Sequence, residues 1–376
     1  MQSLGRVLAE PVVADRDFPP FARATRDGYA IRAADLNVDG PASLRVVGQI
    51  KAGSHYDRTL SAGEAVEIMT GAPVPGGADA VVMIEYTAIH EQGTEITVEI
   101  QRKVSRGENI VPAGAEAKAG QELLAPGSRL EAAQIALAAA AGQVSLKVFR
   151  KPRIAILSTG DELVDVGAKP GPNQIHNSNS YSLAAAVAAC GAQPVQLPIA
   201  ADEEGKLTEL VQQGLKADML LLSGGVSMGK FDLVELVLKK LGAEFLFTGA
   251  MIQPGKSVVF GIVKDTPFFG LPGNPVSVMV TFDLFARQMA EALGGAEPSR
   301  PKSARARLKR EFKTKTGLTR FLPARIDGGL YDSAVEPIPW QGSGDLLAAS
   351  CANCYLVVPP DREKLAEGEM VTVIVL

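Results

Sequence analysis

The sequence predicts a multidomain protein of α/β plus β class, with a central three-layer α/β domain whose sheet is mostly parallel. Apolar runs of strand length alternate with helical periodicity from Arg153 to Leu293, the pattern of a parallel sheet covered on both faces. β-rich runs crowd Leu44–Ile100, and a further apolar alternation, Met370–Leu376, closes the chain.

Residues 1–150 form the N-terminal region. There GEAVEIMTGAPVPGGADAVVMIEY holds two β-rich runs joined by a Pro/Gly corner, and Ile96, Val98 and Ile100 alternate with polar neighbours. This predicts an inserted β module over about residues 41–125. Leu130–Ala141 is helical and stops at Gly142, and its alanine-rich part, Gln134–Ala141, reads as a short buried helix. A strand-like VSLKVF then leads to Lys151-Pro152, a domain boundary.

The α/β domain spans 151–295. RIAILS is a strand, Ser180–Cys190 a helix capped by the Asn177–Asn179 cluster and ended by Gly191, and PVQLPI a strand. A helix with Leu207, Leu210, Val211 and Leu215 on one face follows, then the strand DMLLLS and the helix DLVELVLKKL. SVVFGIV and PFFGL are strands, and Val278–Leu293 is a long final helix. A basic, Pro-rich connector, Glu297–Arg310, leads into a compact β domain over 300–376.

At 376 residues, 46% hydrophobic and 21% charged, the chain has the composition of an ordinary soluble protein. Lys+Arg 38 against Asp+Glu 42 leaves a net charge of −4, which argues against nucleic acid or an anionic membrane as partner. The expected ligand is small. MQSLGRVLAE has no apolar run like a signal peptide and no stretch reaches membrane-spanning length, so a cytoplasmic location is expected. Cys351 and Cys354 form a lone C-x-x-C without the second ligand pair that structural zinc needs, and packing is their expected role.

Three loops that follow strands combine glycine with hydroxyl, amide or carboxylate groups: Ser158-Thr159-Gly160-Asp161-Glu162, Ser223-Gly224-Gly225-Val226-Ser227 and Gly270-Leu271-Pro272-Gly273-Asn274-Pro275. Glycine lets backbone approach a phosphate closely, and neighbouring hydroxyls add donors without repulsive charge. In the third loop Asn274 is the expected N-cap and Pro275 the N1 residue of a helix whose unpaired N–H groups would seat an anion. Ligands of such sheets lie beyond the strand C-termini. Asp161, Glu162, Asp202 and Asp232 stand at the same strand ends, and carboxylates gathered there repel one another unless a divalent cation such as Mg²⁺ joins them. The competing reading is that Asp202 and Asp232 cap the helices that follow. Lys256 could meet an oxyanion as a point charge or simply be solvated. Neither a Walker pattern, a G-x-G-x-x-G after a strand, nor a G-x-S-x-G elbow occurs, and covalent catalysis is disfavoured.

In order along the chain, Asp27-Gly28-Tyr29-Ala30, Ile68-Met69-Thr70-Gly71-Ala72-Pro73, STGDEL, SGGVSMGKFD, QPGKSVVFG and GLPGNPVS resemble the MoeA family of molybdopterin molybdenumtransferases, whose relatives include the gephyrin E domain. The match runs from roughly Leu4 to the C-terminus. It implies an N-terminal segment with an inserted β module, an α/β domain of the molybdopterin-binding type and a C-terminal β domain. It also implies a homodimer whose cleft joins the α/β domain of one subunit to N-terminal residues of the other. The implied reaction consumes adenylylated molybdopterin and molybdate with Mg²⁺ and releases AMP and molybdenum cofactor. Molybdopterin adenylyltransferase and molybdoenzyme apoproteins are the further partners.

Carried over by position, the resemblance places Asp27 and Thr70 at the cleft. It makes Glu162, Asp202 and Asp232 catalytic carboxylates and metal ligands, with Asp232 nearest the pyrophosphate. Ser158, Thr159, Gly160, Ser223, Gly224, Gly225 and Ser227 would hold the pterin phosphate and the AMP half. Gly273 and Asn274 of the third Gly-rich loop would join that set, Lys256, Pro272, Pro275 and Ser277 would lie beside molybdate, and Arg320 and Ser343 would complete that pocket. Gln253 departs from the family pattern, standing where many relatives carry lysine, and Gly249 stands where some carry a basic residue. The alternatives are a molybdopterin adenylyltransferase and a non-catalytic, gephyrin-like scaffold. The Asp27 and Thr70 motifs and the C-terminal domain argue against the first, and the complete acid and loop set against the second.

Overall fold

A computed structural model describes residues 2–36, 41–54, 56–225, 233–297, 300–329 and 331–376. Its contacts divide the chain into two units. One comprises the N-terminal segment through Ala9, Gly127–Leu130 and Lys147–Leu376, and the other Glu10–Pro126 and Glu131–Leu146.

The α/β domain of the first unit is built from β1 (Arg153–Ser158), α1 (Ser178–Ala189), β2 (Gln193–Gln196), α2 (Glu204–Gly214), β3 (Met219–Ser223), α3 (Leu233–Lys240), β4 (Ala243–Phe247), β5 (Val259–Val263), β6 (Thr266–Leu271) and α4 (Pro275–Thr281). The sheet order is β2-β1-β3-β6-β5-β4. Strands β2, β1, β3 and β6 run parallel, and β5 lies antiparallel to both β6 and β4. Successive strand residues face opposite ways, so one apolar run feeds two cores. Ile154, Ile156 and Leu221 pack with Leu183 and Val187 of α1 and Val278 of α4. Ala155, Leu157, Leu220 and Leu222 pack with Leu207 and Val211 of α2 and Val234 and Val237 of α3. Helices on both faces of one sheet make the three layers that the alternation predicts.

Three details differ from expectation. β4 was not foreseen, because AEFLF at the sheet edge alternates half-buried with exposed residues and lacks a continuous apolar run. The final helix is continuous from Pro275 to Leu293 but passes through a π-helical turn, Phe282–Ala286, before resuming at Arg287–Leu293. Residues 144–149 form no strand: Val148 makes only an isolated bridge to Leu8, and Val144 is fully exposed.

Glu297–Arg310 is not merely a connector, for Ser303–Leu308 is a strand of the C-terminal domain. There Thr319–Asp327 pairs with both Ala334–Pro337 and Cys354–Val358, and Ser303–Leu308 and Met370–Val375 complete the circuit. The result is a closed five-stranded barrel without free edges among these strands. Cys354 points into its core with Leu308, Leu356 and Val373. Burial pushes its thiol up to about 11, whereas Cys351 is exposed at the end of the helix Leu346–Cys351. Iodoacetamide at pH 8 should therefore label Cys351 in the native protein and leave Cys354 unmodified, as peptide mass mapping would show.

Ile252–Gln253, between β4 and β5, adds to the barrel in parallel with Thr319–Arg320. A shared core of Ile252, Val276, Val280, Phe321, Tyr355 and Ile374 seals this junction. Asp283 of the π-helical turn accepts hydrogen bonds from Arg287 Nη2 at 2.5 Å and from Tyr355 Oη at 3.2 Å.

Asp218, just before β3, accepts from Arg150 Nη1 and Nη2 at 2.7 and 2.6 Å and from the Arg153 N–H at 2.7 Å. The Arg150 guanidinium holds its carboxyl below the usual carboxylate range. A depressed pKa stabilises the fold at pH values above the unfolded carboxylate value, and that stability is lost as pH falls through the folded one. Asp218→Asn should cost about 1–3 kcal/mol at pH 7. Thermal melts of the two proteins should converge as the pH is lowered past the depressed pKa of the folded carboxyl.

The second unit is a six-stranded sheet in the order Ala80–Met83, Gly28–Ile31, Glu64–Ile68, Ala42–Ile50, Glu95–Ile100 and Thr87–Gln92. Val98 and Ile100 point into its core and Ile96 is exposed. The buried carboxylate of Glu64 is held by Arg45, Arg58 and the Ser61 N–H. The alanine-rich helix, Ala132–Ala140, is largely exposed, with Ala138 its only buried residue. Alanine favours a helix by losing no side-chain entropy, so its abundance does not require burial.

Candidate active site at the strand exits

Strands β1, β3 and β6 are adjacent and parallel, so the loops that follow them emerge side by side. The backbone ties them further: Thr159 N–H donates to Ser223 O at 3.0 Å and Gly224 N–H to Leu271 O at 3.3 Å. Gly160 N–H donates to Ala200 O at 3.3 Å, bringing in the loop that carries Asp202. These N–H groups are therefore unavailable to a ligand. Those of Gly225 and Gly273 have no partner among the described residues, and both glycines are exposed. A Cβ on Gly224 would lie 2.5 Å from Thr159 O, and one on Gly273 3.6 Å from Gly224 Cα. Close approach thus excludes side chains between the first two loops.

The hydroxyls of Ser158 and Ser223 are buried and bonded inside the protein. Ser158 Oγ lies 3.1 Å from Ser180 Oγ, which also accepts from Asn177 Nδ2 at 2.9 Å. Ser223 Oγ accepts from Asn179 Nδ2 at 2.9 Å, and the same amide donates to Gly273 O at 2.8 Å. Asn177 caps α1 by accepting from Ser180 N–H, as expected, but Asn179 has a separate place between two loops. Sequence reasoning assigned both to the cap; a second asparagine where one suffices was the available signal. Thr159 Oγ1 and Asn179 Oδ1 are buried without a hydrogen-bond partner.

At the third loop Asn274 occupies the N-cap position and Pro275 the first turn, yet the Asn274 side chain does not cap. It donates instead to Ser343 Oγ at 2.8 Å, and Ser343 O accepts from Val276 N–H at 2.9 Å. The barrel thus covers part of the helix end expected to be bare. Pro272 is half-buried and Ser277 buried in the same corner. Lys256 is exposed, and its carbonyl accepts from Ala250 N–H at 2.9 Å. Gln253 pairs in register with Arg320, whose guanidinium donates to the carbonyls of Lys315 and Leu318.

Glu162 folds back over Gly160, where an added Cβ would meet its Oε2 at 2.5 Å. Asp202 does not cap α2, whose N-cap is Glu203; its N–H donates to Asp161 Oδ1 at 3.1 Å. Burial first, then repulsion from Asp161 and Glu162, holds the Asp202 carboxyl above its usual range. This oxygen-only, mutually repelling set has the chemistry of a hard-cation site. No three Asp, Glu, His or Cys groups among the described residues are placed to hold one ion together. Asp232, the third expected ligand, and Ser227 lie outside the described residues.

In the second unit Asp27 and Thr70 meet directly. Asp27 Oδ1 accepts from Thr70 N–H at 2.6 Å and Thr70 Oγ1 at 2.8 Å, and these bonds lower the Asp27 pKa.

Family comparisons match the whole length of this architecture. The MoeA N-terminal region (domain I and II) matches residues 1–142, the probable molybdopterin binding domain 155–292 and the MoeA C-terminal region (domain IV) 305–376. The chain is 34% identical to the molybdopterin molybdenumtransferase of Bacillus subtilis (strain 168), over 100% of this chain and 88% of that protein. It is 35% identical to the molybdopterin molybdenumtransferase of Nostoc sp. (strain PCC 7120), over 99% and 86%. The crystal structure of a molybdopterin biosynthesis MoeA protein from Pyrococcus horikoshii superposes with a TM-score of 0.73 at 35% identity, covering 100% of this chain and 92% of the other. With three adjoining strand exits, a C-terminal barrel and full-length relatives, this chain belongs to the MoeA family of molybdopterin molybdenumtransferases.

Proposed function

We propose that this chain inserts molybdenum into molybdopterin, using adenylylated molybdopterin and molybdate and releasing AMP and molybdenum cofactor. The observation that carries this reading is the convergence of three glycine-bearing strand exits beside a carboxylate cluster, in a chain aligned end to end with molybdenumtransferases. Exposed N–H groups at Gly225 and Gly273 would donate to phosphate oxygens, and the absence of side chains there lets those oxygens approach. Glu162 and Asp202, with Asp232, would hold Mg²⁺, which when bound supplies positive charge opposite the phosphoanhydride. Lys256 would attract molybdate as a point charge, assisted by Asn274 and Ser343 at the GNP corner. The residues position and neutralise, and no protein nucleophile is required.

The purified protein should release AMP from adenylylated molybdopterin only when both Mg²⁺ and molybdate are present. Failure to do so with intact substrate would refute the reading. The protein is further proposed to act as a cytoplasmic homodimer, and sedimentation equilibrium giving the monomer mass would reject the dimer.

A further inference from the structure

We infer that Asn179 is a positioning residue of this site, setting the spacing between the second and third ligand loops. The inference rests on the reading that these loops bind the pterin substrate. Asn179 lies in the first turn of α1, but its side chain does not cap that helix; Asn177 does. One buried amide instead gives its two N–H donors to two different loops, to Ser223 Oγ at the end of β3 and to Gly273 O after β6. An amide offers only two such donors, so its donor capacity is fully used in joining the loops. Gly273, where an added Cβ would lie 3.6 Å from Gly224 Cα, and Gly225 each keep an N–H without a partner among the described residues, one on either side of this joint. By tying Ser223 to Gly273, the Asn179 amide sets how far apart the second and third loops stand.

The neighbouring turn residues act on the first loop: Asn177 Nδ2 donates to Ser180 Oγ, and Ser180 Oγ in turn bonds Ser158 Oγ. The first turn of α1 is thus a buried polar hub under all three exits, with Asn177, Ser180, Ser158 and Ser223 each 4% exposed or less. Buried hydrogen bonds of this kind keep one geometry because breaking them leaves polar groups unsatisfied. The partnerless Asn179 Oδ1 fits this assignment: the side chain is oriented by what its nitrogen donates, at the cost of its oxygen.

Two substitutions separate the ties. Asn179→Asp keeps the shape and can still accept from Ser223 Oγ–H, but it has no donor for Gly273 O. Ser223→Ala removes the tie to the second loop and leaves the one to Gly273. Each should weaken molybdopterin binding about tenfold, as read by pterin absorbance or fluorescence titration. The buried groups left unpaired should lower the melting temperature of both variants, so the deciding readout is the dissociation constant of the sites that remain folded, which should rise while the titratable fraction at the assay temperature stays near wild type. The double variant should bind little more weakly than either single one, because one intact tie cannot set a spacing. A merely structural role would lower the melting temperature and the titratable fraction while leaving the dissociation constant of the remaining sites unchanged. Wild-type binding in a folded Asn179→Asp protein overturns the inference. Should that variant not fold, unchanged binding by Ser223→Ala overturns it equally. If the wild-type protein itself fails to bind molybdopterin, the functional reading fails instead.

Discussion

Glu162→Gln and Asp202→Asn proteins are expected to bind adenylylated molybdopterin and yet release AMP at least about 100-fold more slowly than wild type. Both carboxylates stand beside the exits of β1 and β2, and the Asp202 carboxyl registers the negative charge of Glu162 and Asp161. Either amide removes a charge without removing bulk, so the substrate pocket keeps its shape while cation affinity falls. Gly160→Ala supplies an independent arm, because the new Cβ would occupy the place of the Glu162 carboxylate. It should lower the rate in the same direction with Glu162 still present. Quenched-flow measurement of AMP at saturating molybdate and at a Mg²⁺ concentration just sufficient to saturate the wild type reads all three. Wild-type turnover in both carboxylate variants would remove the acid cluster from the mechanism.

Gly28→Ala should destabilise the second unit by at least about 3 kcal/mol, a severe loss for a single methyl group. Gly28 lies in the strand Gly28–Ile31, between Ala80–Met83 and Glu64–Ile68. A Cβ there would collide with the carbonyl of Val82, a backbone atom held in the sheet that cannot move aside as a side chain could. Calorimetry should show the transition of that unit moving to lower temperature, with the transition of the α/β domain and barrel in place. An unshifted melt would mean that the sheet opens there at little cost. Because Asp27 precedes this glycine, the same distortion should loosen its two bonds to Thr70.

Much of the α/β domain was legible because buried parallel strands are continuous apolar words: RIAILS and MLLLS each serve two cores at once. Edge elements were not. β4 alternates at the sheet margin, and SARARL in Ser303–Leu308 looked like a basic linker because its inward residues include small alanines while its arginines are exposed. The three glycine-bearing loops and their adjacency at the sheet edge were readable from composition and from their position after strands. Which of their polar groups face outward was not, since Ser158 and Ser223 look as suited to a phosphate as Gly225 and Gly273 do. Only the through-space ties to Ser180 and Asn179 distinguish them. Asn274 shows the same limit: its N-cap position was readable, but the partner that claims its side chain, Ser343, is 69 residues away in sequence.

The short parallel pairing of Ile252–Gln253 with Thr319–Arg320 has a bearing on how this chain can be dissected. Cutting after residue 295 to obtain the α/β portion by itself would strip away the cover over Ile252, Val276 and Val280, and would take the hydroxyl partner of Asn274 with it. Such a fragment would carry a raw apolar scar next to the GNP corner and should come out of cells as inclusion bodies, so a minimal soluble truncation has to retain the barrel.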